Sequence, residues 1–128
     1  MRAFRSTGRS RPRGADSDVR TRLERARTRL DGLALYPRPV RIDRVRLVAL
    51  PLAFRLPPLR RYSGYALWRT ILLKRPLAET SDDLLTHELC HIWQMQHRPL
   101  HVLWKWLTTR YRDNPYEREA RRAVAETR

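Results

Sequence analysis

Between Thr80 and Arg98 the apolar positions recur at helical spacing. Leu85, Leu89 and Ile92, followed by Gln96, stand at i, i+4, i+7 and i+11 and share one face of a helix. Thr80 and Ser81 offer capping hydroxyls, and Asp82 and Asp83 place acids in the first turn, where free N–H groups and the helix dipole favour them. A helix is therefore predicted from about residue 81. It should end at Arg98, because a residue preceding proline is pushed out of helical dihedrals. Over residues 64–73 the period changes to two: Tyr65, Leu67, Arg69, Ile71 and Leu73 alternate with Ala66, Trp68, Thr70 and Leu72, which predicts one strand. Val45, Leu47 and Ala49 predict another, closed by the run through Pro51, Pro57 and Pro58. Asn114 before Pro115 signals a second helix, with asparagine as the cap and proline at the first helical position. Val19, Leu23, Ala26 and Leu30 line one side of a charged helix over residues 17–30. The expected class is α+β, a small antiparallel-type sheet packed against the helix that starts near residue 81 and the helix that starts at Asn114.

The line of His87, His91 and Met95 lies roughly opposite the leucine stripe, and it carries the chemistry. Residues 87–91 read HELCH, an HExxH pattern that this composition produces by chance only about 0.006 times per chain. Two histidines four apart on a helix can reach one Zn²⁺, and Glu88, rotated by roughly 100°, can take a proton from a metal-bound water. A catalytic zinc keeps three protein ligands and one open position. Two positions downstream compete for the third place. His97 follows His87 by ten residues, the spacing of the metzincin pattern HExxHxxGxxH, but Gln94 stands where that pattern needs a glycine to turn the chain. Glu117 is the preferred candidate, although a glutamate three residues past the Asn114 cap would also suit a capping box. Glu119 is the alternative if that helix is rotated. Tyr111, Tyr116, His101 and Arg110 are candidates to stabilise an oxyanion. Cys90, inside the pentapeptide, is expected to be a buried reduced thiol.

HELCHIWQ at 87–94, NPYEREA at 114–120 and the strand-like GYALWRTILL at 64–73 together resemble the small gluzincin-type metallopeptidase domains. Examples are the metalloprotease-like core domain of extracellular contractile injection systems and the ImmA/IrrE peptidases. The resemblance implies a minimal zincin-like fold in which His87, His91 and Glu117 hold Zn²⁺ and Glu88 is the general base for peptide-bond hydrolysis. It also implies that the strand near residue 64 borders the cleft, where its free backbone edge would take an extended peptide; the alternative is an ordinary core strand. One position departs from the pattern. Arg121 stands where many relatives carry Asp or Asn one turn after the ligand, and a cation cannot accept a hydrogen bond from a ligating imidazole.

Length and charge limit what else the chain can be. Its 128 residues suffice for one domain, expected over residues 17–128 behind a basic disordered tail at 1–16. Any cleft should be shallow, with Trp93, Leu103, Trp104 and Trp106 forming core or an apolar surface beside the site. Of the net charge of +15, residues 1–30 hold +7, from 10 Arg against 3 acids. Such a charge attracts phosphates and acidic surfaces, so an acidic partner or nucleic acid could dock on the N-terminal tail, although no sequence-reading motif accompanies it. One cysteine excludes an internal disulfide and fits a reducing compartment, here expected to be the bacterial cytoplasm. No apolar run approaches the roughly 20 residues of a membrane span. The leading expectation is a zinc peptidase acting on a peptide or protein substrate. The others are a zincin-like binding or assembly module without turnover, and a basic nucleic-acid-associated protein.

Overall fold

A computed structural model describes residues 13–57 and 59–128, with side chains from Ser17 onward. In chain order they form α1 (Arg13–Asp31), β1 (Arg46–Ala49), β2 (Gly64–Leu67), β3 (Thr70–Leu73), α2 (Asp82–His97), α3 (Pro99–Thr108) and α4 (Pro115–Thr127). This is an α+β arrangement, as the periodicities predict. Of the tail expected at residues 1–16, residues 13–16 belong to α1. Gly14 costs a helix only about 1 kcal/mol relative to alanine, which does not stop it. Residues 1–12 lie outside the described residues.

The sheet differs from expectation in two ways. Its order is β1–β3–β2, with β1 parallel to β3 and β2 antiparallel to β3, so it is mixed rather than antiparallel. After β1 the chain runs through residues 50–63 to the far edge and returns through a hairpin into the central position. Residues 64–73 are accordingly two strands rather than one. The reversal falls at Trp68 and Arg69, between the paired residues Leu67 and Thr70, and Trp68 adopts φ 62°, a left-handed value that L-residues disfavour.

α2 is the hub of the core. Leu85, Leu89, Cys90 and Ile92 are fully buried between Leu23, Ala26 and Leu30 of α1, Leu47, Ile71 and Leu73 of the sheet, and Ala120 and Ala123 of α4. Each buried leucine or isoleucine contributes roughly 1.5–3 kcal/mol. Burial extends around the whole helix from Leu85 to Gln94, with His87 the half-buried exception, so the side that carries the histidines is enclosed as well as the side that packs. Trp93 is buried and its indole N–H donates to Arg38 O at 2.8 Å. Gln96 clasps the backbone of Arg41 from both sides, accepting from its N–H at 3.0 Å and donating to its carbonyl at 2.8 Å.

Both predicted caps form. Ser81 Oγ accepts from the Leu84 N–H at 3.0 Å, and Asn114 Oδ1 accepts from the Tyr116 N–H at 2.9 Å. Around the first turn of α2, Asp82 meets Arg22 at 2.8 Å and Arg25 at 3.2 Å, while Asp83 meets Arg29 at 3.0 Å and Arg128 at 2.9 Å. Pro99 ends α2 as predicted but starts α3 at once, since proline at a first helical position loses no hydrogen bond. Among the described residues no helix is long and apolar enough to cross a membrane.

Candidate metal centre

The i, i+4 spacing on α2 brings His87 Nε2 and His91 Nε2 within 3.2 Å of each other. Opposite them, the Asn114 cap and Pro115 fix where α4 begins, and this aims Glu117 inward from its first turn. Glu117 Oε1 lies 2.6 Å from His87 Nε2 and Oε2 lies 2.9 Å from His91 Nε2. The carboxylate is 1 % exposed, so it closes no capping box; both oxygens are spent on the histidines. Tyr111 OH donates to Oε1 at 2.8 Å, and Arg121 Nε stands 4.0 Å away on the solvent side. The three residues offer one donor atom each, all within 4.8 Å of one another, and this group could hold a metal ion.

Glu88 sits beside the group and faces the sheet. It is buried, and the Ala66 N–H of the edge strand β2 donates to it. β2 comes so close that a Cβ on Gly64 would stand 3.4 Å from Glu88 Cγ. Glu88, His91 and Glu117 open on a cavity of about 10 Å³ walled by Tyr62, Tyr65, Trp106 and Tyr111. That is the space of roughly one water molecule. The aromatic wall is continuous: ring centroids are 5.7 Å apart for Tyr62 and Tyr65, 6.0 Å for Tyr65 and Trp106, 6.1 Å for Trp106 and Tyr111, and 5.0 Å for Tyr111 and Tyr62. A much larger depression, about 870 Å³, lies between α1, residues 38–45 and the end of α2, and none of the clustered residues lines it.

Burial and charge set the proton affinities. Burial raises the Glu88 pKa, with the Glu117 charge adding to the rise and His91, His87 and the Ala66 N–H pulling against it. For Glu117 burial also opposes ionisation, but the hydrogen bonds with His87 and His91 outweigh it and hold the carboxyl well below the usual range. His91 is the converse case. Burial lowers it, while the hydrogen bond with Glu117 and the charges of Glu88 and Glu117 raise it further, for a net rise. Burial first, and then the charges of Glu119, Glu117 and Glu88, push the Cys90 thiol far up, and Cys90 is the buried free thiol expected.

Sequence reasoning missed the group that orients His91. Gln94 is fully buried on the same face three residues later, and its Oε1 lies 2.9 Å from His91 Nδ1. Its Nε2 donates to Tyr116 O at 2.9 Å and to Glu119 Oε1 at 3.0 Å, and Glu119 in turn accepts from Tyr36 OH at 2.5 Å. Two acceptors on the nitrogen side fix the amide so that oxygen faces the imidazole. The proton is thereby held on Nδ1 and Nε2 points to the cluster. Gln94 thus does what Arg121 cannot. The signal lay in HELCHIWQ, where an amide follows the second histidine by one helical turn.

The remaining candidates sort by position. His97 is outside the cluster, stacked on Tyr36, with Nδ1 at 3.2 Å from Trp93 O and Nε2 accepting from the Arg38 N–H at 3.3 Å. The glycine-free helix carries it past the site instead of turning it back. Glu119 is occupied by Tyr36 and Gln94. Of the oxyanion candidates, Tyr111 reaches the cavity, whereas Tyr116 and His101 hydrogen-bond to each other and Arg110 is exposed. Trp93 joins the core and Trp106 the cavity wall, but Trp104 and Leu103 remain exposed. No protein-family profile matches this chain, and neither curated proteins nor solved structures gave a match.

Proposed function

We propose that this chain is a zinc-dependent peptidase of the gluzincin kind, in which His87, His91 and Glu117 hold Zn²⁺ and Glu88 is the general base. The observation that carries this reading is the convergence of three donors from two capped helices beside a second buried carboxylate, that of Glu88. Tetrahedral zinc at 2.0–2.1 Å needs donor atoms about 3.3 Å apart, and separations of 2.6–3.2 Å reach that with a small outward adjustment. Nitrogen and oxygen donors of this type suit zinc.

Zinc bound there would supply Lewis acidity toward a water and a substrate carbonyl. The chain's own residues do the rest. Gln94 keeps the His91 Nε2 lone pair directed at the site. Glu88, whose burial raises its proton affinity, accepts a proton at its carboxylate and passes it to the leaving amine. Tyr111, on the cavity wall, donates its one hydroxyl proton to Glu117 Oε1 and so holds the ligand carboxylate in position. Among the described residues the outer edge of β2 has no strand partner, and it borders Glu88, which supports an extended peptide as substrate.

The test is metal analysis of purified protein followed by Glu88→Gln. Near-stoichiometric zinc is expected in both proteins. Cleavage of a broad peptide library should fall roughly 10²–10⁴-fold in the variant, the usual range for a lost general base. A wild type without zinc overturns the site. One that holds zinc and cleaves nothing overturns the peptidase reading and leaves a metal-bearing binding module.

A further inference from the structure

α3 is inverted relative to an ordinary surface helix. Leu100, Leu103, Trp104 and Leu107 are 80, 54, 60 and 74 % exposed, and their i, i+3, i+4, i+7 spacing makes them one stripe along the outside. The inner side is held by Val102, which is buried, and by Trp106, whose ring lies 5.8 Å from that of His91. Isolated exposed leucines need no explanation, but a continuous stripe on a ten-residue helix marks an interaction surface. Trp68, 58 % exposed at the hairpin turn, borders the same depression as Pro99.

Charge selects the occupant. Residues 98–112 contain Arg98, Lys105, Arg110 and Arg112 and no carboxylate. A second copy would bring the same segment and another +15 against it. Residues 1–12 carry four arginines and no acid, so they too share its sign. Nucleic acid would satisfy the cations while leaving leucine and tryptophan in water. An anionic lipid surface answers both demands: apolar side chains enter the boundary between headgroups and acyl chains, while arginine and lysine extend to the phosphates. A single convex helix fits a plane without needing a groove.

We propose that α3 docks this protein peripherally on anionic lipid surfaces, with Leu100, Leu103, Trp104 and Leu107 inserted. The aromatic wall of the cavity then lies directly behind the docked face, because Trp106 belongs to the same helix. This inference is independent of the zinc reading.

The experiment is co-sedimentation of the full chain with vesicles of phosphatidylcholine alone and of phosphatidylcholine mixed equally with phosphatidylserine, with tryptophan emission recorded on the same samples. The wild type should bind the mixed vesicles with a blue shift in emission, and the neutral ones at least about tenfold more weakly. Leu103→Lys combined with Leu107→Lys adds positive charge but removes half of the stripe. Affinity for the mixed vesicles should fall by about tenfold or more, since burying one leucine is worth at least that factor. Both positions are exposed, and Leu100→Lys, at the most exposed position, provides a second probe if the double variant loses helicity. Unchanged or tighter binding by the variants means attraction by charge alone and overturns the proposal. Failure of the wild type to bind the mixed vesicles also overturns it, and is the result that docking on an acidic protein would give.

Discussion

Two clusters of charged side chains sit on α2 little more than a turn apart, and they follow opposite rules. At the first turn Asp82 and Asp83, with side chains 45 and 40 % exposed, meet four arginines from α1 and the C-terminus. One to three turns later His87, Glu88, His91 and Gln94 meet Glu117, whose side chain is 1 % exposed. The outer cluster keeps its carboxylates open to water, where each pair is screened and worth about 1 kcal/mol. It ties the helices together without demanding exact positions. The inner cluster gives up hydration costing several kcal/mol per ion, and apolar residues would fill the same space at lower cost. Stability does not account for it. Polar side chains kept in the middle of a core against that penalty point to chemistry.

Three substitutions can break or sharpen this contrast, from the largest expected effect to the smallest. Glu117→Ala removes a donor from the inner cluster, and metal affinity should fall more than about a hundredfold, beyond the ten- to hundredfold typical of an outer partner. Dialysis followed by metal analysis reads this directly, and retained stoichiometric metal would mean that the ligand set is wrong. Gln94→Leu keeps all three donors and frees the His91 ring, so competition with a chelator should show affinity reduced about ten- to hundredfold. If affinity is unchanged, Gln94 only packs. Asp82→Asn belongs to the outer cluster and should cost less than about 1 kcal/mol in denaturant unfolding, with the difference shrinking in salt.

The Asp82 change also has a pH signature. Slight burial raises the Asp82 pKa, but hydrogen bonds from Arg25 and Arg22 outweigh it and the net shift is downward. A carboxyl depressed in the folded state stabilises above its unfolded pKa, and that contribution disappears as pH falls through the folded value. The asparagine variant should therefore be less stable than wild type near neutrality and converge with it in acid. A difference that grew in acid would show that Asp82 acts through something other than these ion pairs.

Much of α2 and α4 was legible because their signals are local. A serine cap, two acids and a leucine repeat specify α2, and Asn114–Pro115 specifies where α4 starts. HExxH was readable for the same reason: the helix itself imposes the geometry of i and i+4. What stayed hidden depends on distant partners or on strain. Residues 68 and 69 offered no glycine, asparagine or aspartate to announce a turn, and Trp68 is held at positive φ by the pairing around it. The parallel placement of β1 beside β3 is a choice of long-range neighbours that alternation cannot express. Gln94 was visible as a letter, but its role rests on Tyr116 and Glu119 from another helix.

The position of Glu117, three residues past Asn114, makes the start of α4 a ruler for the whole site. Farther along, Ala120, Ala123 and Val124 hold the helix in place by shape, and they tolerate adjustment as packing does. The carboxylate does not share that tolerance. One residue inserted between the cap and Glu117 would leave a helix of similar composition against α2 yet swing the acid by roughly 100° away from both imidazoles. In this molecule the count of residues after a single asparagine is what keeps two helices in phase at one point in space.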